Sequence, residues 1–91
     1  MKTVFKQVIE PNSYSGEPYP IKFEAPRGSR PISVALQHGK CCVWFECHPE
    51  RPKEEITIYS VGTGFGAVPD GCRFLGTIVD GSYVWHLYAK D

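Results

Sequence analysis

The run Gly62-Thr63-Gly64-Phe65-Gly66-Ala67-Val68-Pro69-Asp70-Gly71 is the part of the chain whose composition comes nearest to chemistry. Glycines let backbone N–H groups approach a phosphate closely, and an anion-binding nest needs little else. A P-loop, however, requires Gly-Lys-Ser/Thr opening a helix, and a dinucleotide fold requires G-x-G-x-x-G at a helix start. Pro69, Asp70 and Gly71 deny the helix in both cases. If the protein captures a phosphate-bearing ligand, Thr63, Gly64 and Gly66 are expected to line the site, with a guanidinium from Arg73 or Arg27 and a stacking ring from Trp44 or Tyr83. The segment itself reads first as a long connection whose glycines supply positive φ.

The histidines His38, His48 and His86 have no Ser or Asp spaced as a triad, and no G-x-S-x-G occurs. His38 is expected at a turn in solvent. His86, interior to a strand, reads first as a satisfied or half-buried imidazole and second as a ligand contact or base. Arg27, Arg30, Arg51 and Arg73 fall at loops or strand starts, where their guanidinium forks can gather at one rim or simply disperse as solvated charge.

Cys41, Cys42, Cys47 and Cys72 raise both a disulfide and a metal reading. Along a strand rising about 3.3 Å per residue, Cys41 and Cys47 share a face but lie about 20 Å apart, and Cys42 points to the other face. A zinc site needs converging ligands, usually from C-x2-4-C pairs on turns, and the chain has none. Cys47-His48 resembles the end of a haem-attachment motif without the C-x-x-C-H spacing. Free, mostly buried thiols are expected, with no metal and no cofactor.

The elements that must carry these residues are strands. Thr3 to Ile9 alternates, as do 21–25, 31–37, 41–48, 55–61, 72–79 and 82–90, and no segment holds a helical period beyond two turns. Gly39 and Asp80-Gly81 mark two tight hairpins, 31–48 and 72–90, expected side by side at the centre of the fold. Residues 10–20, with three prolines and a glycine, read as a mobile loop. The expectation is an all-β domain spanning 1–91: about seven short antiparallel strands forming a sheet, sandwich or roll, with little or no helix.

In that reading Val43 and Phe45 oppose Trp44, Glu46 and His48, and Tyr83, Trp85 and Leu87 oppose Val84, His86 and Tyr88. Trp44 and Trp85 are both first read as core. Aromatics on both faces of so short a chain point to a sandwich or to a homo-oligomer that covers the second face.

At 91 residues the chain supports one core and no separate catalytic domain. Ten Lys and Arg balance ten Asp and Glu, removing the basic excess that drives binding to nucleic-acid phosphates. No apolar run approaches the roughly 18 to 20 residues of a membrane span, and the start, with Lys2 followed by alternation, reads as a cytosolic protein.

Met1-Lys2-Thr3-Val4-Phe5-Lys6, Ile32-Ser33-Val34 with Gln37-His38-Gly39-Lys40 and Trp44, Val61-Gly62-Thr63-Gly64, Leu75-Gly76-Thr77 and Val84-Trp85-His86-Leu87-Tyr88 together resemble a family of small uncharacterised proteins encoded by bacteriophages and prophages. The likeness covers most of the chain in register; the chain departs from the pattern in its Pro-rich segment 10–20 and in Cys41-Cys42. The resemblance implies a phage accessory protein in the bacterial host cytoplasm and brings no catalytic residue to transfer. The function expected is non-enzymatic binding that antagonises host anti-phage defence, by sequestering a nucleotide-type signal or by occupying a host defence protein. The alternatives are a minor virion or assembly component docking through free edge strands, and a small nucleotide-acting enzyme using His86 with His48 or Glu46.

Overall fold

A computed structural model describes residues 1–11, 17–64 and 66–90. Seven strands form in chain order: β1 (Thr3–Ile9), β2 (Tyr19–Pro26), β3 (Arg30–Gln37), β4 (Lys40–Cys47), β5 (Lys53–Gly62), β6 (Cys72–Asp80) and β7 (Tyr83–Lys90). All pairings are antiparallel, and no helix occurs among the described residues. The expected all-β class holds. Of the expected loop 10–20, residues 12–16 lie outside the described residues, while Tyr19 and Pro20 belong to β2, two residues earlier than alternation implied.

The strands divide between a three-stranded sheet, β1-β4-β3, and a four-stranded sheet, β2-β5-β7-β6. The two hairpins therefore do not lie side by side in one sheet: β3–β4 belongs to the first and β6–β7 to the second. They meet where edge strand β3 packs on edge strand β6. The central positions go to β4 in one sheet and to β5 and β7 in the other, through the long-range pairings β1–β4 and β5–β7.

Residues opposed across an antiparallel pair point to the same side, so the registers define the faces. Cys41, Val43, Phe45 and Cys47 point inward from β4, and Trp85, Leu87 and Ala89 from β7; with Ile9, Ile21, Val34, Ile58 and Ile78 they join all seven strands in buried clusters between the sheets. This is a sandwich. Val43, Ile58 and Leu87 are fully buried, each contributing about 1.5 to 3 kcal/mol of transfer free energy. At the open side Phe45 touches Phe5 edge-on at 6.2 Å and Phe23 at 5.7 Å. At the closed side the Arg73 guanidinium donates to the Pro31 carbonyl at 2.7 Å, tying β6 to β3.

Trp85 is core as expected, but Trp44 is not. Its partners in register, Lys6 and Ser33, place it on the outer face of the three-stranded sheet, where it is half-buried. Period-two alternation separates two faces without saying which one meets the second sheet.

Candidate functional site

Both tight turns fall at one end of the sandwich. His38 (φ 52°) and Gly39 (φ 74°) form a two-residue turn with both central residues left-handed, a geometry that matches the twist of paired strands. In the other hairpin Asp80 pairs with Tyr83, so the turn centres on Gly81 (φ 62°) and Ser82. The C-terminus of β1 reaches the same end.

Between these three segments lies a cleft of about 340 Å³ lined by Val8, Ile9, Glu10, Pro11, Gly39, Lys40, Cys41, Asp80, Tyr83 and Trp85. That volume is at the lower bound for a small-molecule site. Its distinctive feature is aromatic: the half-exposed Tyr83 ring lies flat on the buried Trp85 indole, centroids 5.7 Å apart and planes within 4°. Trp85 is fixed by the core and so holds Tyr83 as a platform at the cleft mouth. Glu10 and Asp80 supply acceptors, and Lys40 supplies a cation. The Cys41 thiol at the cleft wall is pushed above its ordinary range by burial first, then by the charges of Asp80 and Cys42. It stays protonated at neutral pH and is a weak nucleophile there.

The residues expected to share one phosphate site are dispersed. Tyr83 sits at the turn end. Arg27 and Arg73 belong to the opposite end, with the Arg27 backbone N–H donating to the Pro52 carbonyl and Arg73 directed to Pro31. Arg30 and Arg51 are at that end as well, so the four arginines do gather toward one rim. A groove there of about 630 Å³ is lined by Arg30, Lys90, Ser29, Thr57 and by Glu54 and Glu55, whose carboxylates oppose an anion.

Of Thr63, Gly64, Gly66 and His86, the structure brings Thr63 and His86 into contact, on the outer face of the four-stranded sheet, with Gly64 next to Thr63 in the chain. β5 and β6 flank β7 and run parallel to each other, so their connection must cross β7. That crossing explains the length of the glycine segment. Gly64 and Gly66 adopt φ near +76° and +75°, and a Cβ at Gly64 would meet nothing within 4 Å, so the glycine answers to backbone conformation and not to a close neighbour. Where the crossing starts, Thr63 Oγ1 hydrogen-bonds His86 Nε2 at 2.8 Å, and Thr77 Oγ1 hydrogen-bonds Nδ1 at 3.0 Å. Both ring nitrogens are engaged. Beside them Phe74 meets Tyr88 edge-on at 5.4 Å.

Among the described residues no three His, Cys, Asp or Glu side chains converge as metal ligands do, and the four cysteines are free thiols. No helix there is long and apolar enough to cross a membrane. Glu10, Lys40 and Asp80 escaped the sequence reading because their segments meet only once the two sheets are stacked. The available signal was the pair of hairpin turns.

Fold and cleft define a two-sheet antiparallel sandwich with an aromatic-walled site at its turn end. The chain belongs to the family described as a domain of unknown function, DUF7352, whose profile matches residues 1–91. No curated protein and no solved structure matches it.

Proposed function

We propose that the protein is a non-enzymatic binding protein and that the turn-end cleft captures a small ligand with a flat ring, of the nucleotide type. The observation that carries this is the Tyr83 ring held flat on Trp85 at the cleft mouth. A stacked base gains about 1 to 3 kcal/mol on such a platform. Glu10 and Asp80 can accept from exocyclic amino groups, and Lys40 can face a phosphate. In the phage setting that the sequence resemblance implies, capture of this kind sequesters a host defence signal in the bacterial cytoplasm.

Two features favour binding over catalysis. The Cys41 thiol is held protonated, and His86 spends both nitrogens on threonine hydroxyls, whereas a general base needs one nitrogen free toward substrate. The cleft likewise favours a small ligand over occupation of a host protein or a virion contact.

Calorimetric titration with cyclic, linear and ADP-ribose-type nucleotides is the test. A ligand of this class is expected to bind, with Tyr83→Ala weakening it by about 1 to 3 kcal/mol and Arg73→Ala leaving it unchanged where the fold is retained. Absence of heat with every nucleotide would reject the reading.

A further inference from the structure

The two sheets have four edge strands, and three carry devices that discourage pairing with another chain. Edge β2 contains Pro20 and Pro26, β3 contains Pro31 and a register shift between Pro31 and Ser33, and β6 shifts register between Phe74 and Gly76. Proline removes a ladder donor and bulges bend the edge away. β1 has neither: it pairs with β4 without interruption from Thr3 to Ile9, and no described residue pairs along its other side. Val4, Phe5 and Val8 on it remain 50%, 43% and 44% exposed.

We infer that β1 is a dimerisation edge, pairing antiparallel with β1 of a second copy to make a continuous six-stranded sheet. The occupant is argued from charge complementarity. Lys2, Val4, Lys6, Val8 and Glu10 alternate on the outer face, with opposite charges four residues to either side of Lys6. A two-fold axis at Lys6 sets Val4 against the partner's Val8, and Lys2 against the partner's Glu10, twice over. The one conflict is Lys6 facing its own copy. Its ammonium, however, donates to Gln37 Oε1 on β3 at 2.7 Å, which draws it across β4 and away from the edge. Lysine is the usual guard of an exposed edge, and here it is turned aside.

The register has a consequence for the turn-end cleft. Val8, Ile9 and Glu10 form one of its walls, so the partner's Lys2 stands beside Glu10 at the rim of each cleft. The dimer stands independently of whether that cleft binds a nucleotide. A seven-residue edge makes a small interface, so dissociation belongs in the micromolar range.

Sedimentation equilibrium of the full chain from a few to several hundred micromolar is the experiment, on the wild type, on Lys2→Glu and on Glu10→Lys. Both sites are exposed, and the Lys2–Glu46 contact within one copy, at 3.5 Å, contributes little, so the variants should keep the wild-type circular dichroism spectrum. Each variant alone turns both ion pairs repulsive and should dissociate about tenfold more readily. An equimolar mixture of the two variants restores both pairs and should return the dimer mass. A wild type monomeric throughout, single variants that associate as well as wild type, or a mixture that stays monomeric would each overturn the inference.

Discussion

Ser60 shows how an inward position is settled by register and not by residue type. It lies opposite Leu87, fully buried, and its hydroxyl has no hydrogen-bond partner among the described residues. Replacing it by Ala removes a desolvated polar group at little change of volume, and Ser60→Ala should stabilise the fold by about 1 kcal/mol in urea unfolding. The cysteines make a second residue-scale case. Cys41, Cys42 and Cys47 are buried and Cys72 is partly exposed, so a thiol reagent should label one site rapidly in the native protein and four after unfolding. Burial is the first cause raising the Cys41 and Cys47 thiols above their ordinary value of 9.0, with nearby Asp80 and Cys42 adding at Cys41 and Glu50 adding at Cys47. The unfolded chain ionises first. The stability these thiols contribute is thus complete below the ordinary thiol value and lost as pH rises through the raised folded values, and the urea midpoint should fall as pH rises above 9.0 more steeply in wild type than in Cys47→Ala. At this scale the sequence was readable where alternation acts: it set Cys41 and Cys47 on one face of β4 and Cys42 on the other, as the register has them, and His86 is the satisfied imidazole its strand position suggested. Trp44 and Trp85 were not separable, because each sits in an equally alternating run and only the identity of the opposing sheet makes one of them core.

Among the elements, the strand β6 depends on a close approach at its bulge. A Cβ at Gly76 would stand 3.0 Å from Val34 Cγ2, so a side chain at the corner where β6 meets β3 requires the Val34 methyl to give way by a few tenths of an ångström. Gly76→Ala should destabilise by about 1 to 3 kcal/mol through this overpacking, and Val34→Ala in the same chain should recover part of that loss although each change alone is unfavourable; a double-mutant cycle by chemical denaturation measures the coupling. The strands themselves were legible almost throughout, since alternation and the Gly39 and Gly81 turns act locally. β2 began early because Pro20, which reads as a breaker, is tolerated on an edge strand, where no second ladder needs its missing N–H. The partition into two sheets was not legible. It is decided by β1 reaching β4 and β5 reaching β7, pairings whose selection depends on burial summed over the whole core and not on any short motif.

For the whole molecule, placement at opposite ends decides what acts together. Hairpin turns, the end of β1 and the Tyr83–Trp85 stack meet at one end; the arginines collect at the other; the glycine crossing lies on an outer face between them. A single site built from Thr63, Gly64, Gly66, Arg73 and Tyr83 was chemically coherent as a list of side chains and is divided: Arg73, opposite Ala89, lies a strand's length from Tyr83, and Thr63 meets His86 on the outer face, whereas Tyr83 stacks on the inward-facing Trp85. What the fold assembles instead is a small cleft whose aromatic platform is anchored in the core, with two carboxylates and one lysine around it. Because Trp44 lies on the outer face of the other sheet, a Trp44→Phe variant leaves Trp85 as the sole indole, reporting from beneath that platform. The most direct measurement is the two-dimensional NMR spectrum of this variant during addition of the nucleotide series. The account predicts that the Trp85 indole N–H and the backbone amides of Lys40, Cys41 and Tyr83 shift together along one saturating curve. Shifts confined to Thr63, Gly64 and His86, or none at any residue, would contradict it.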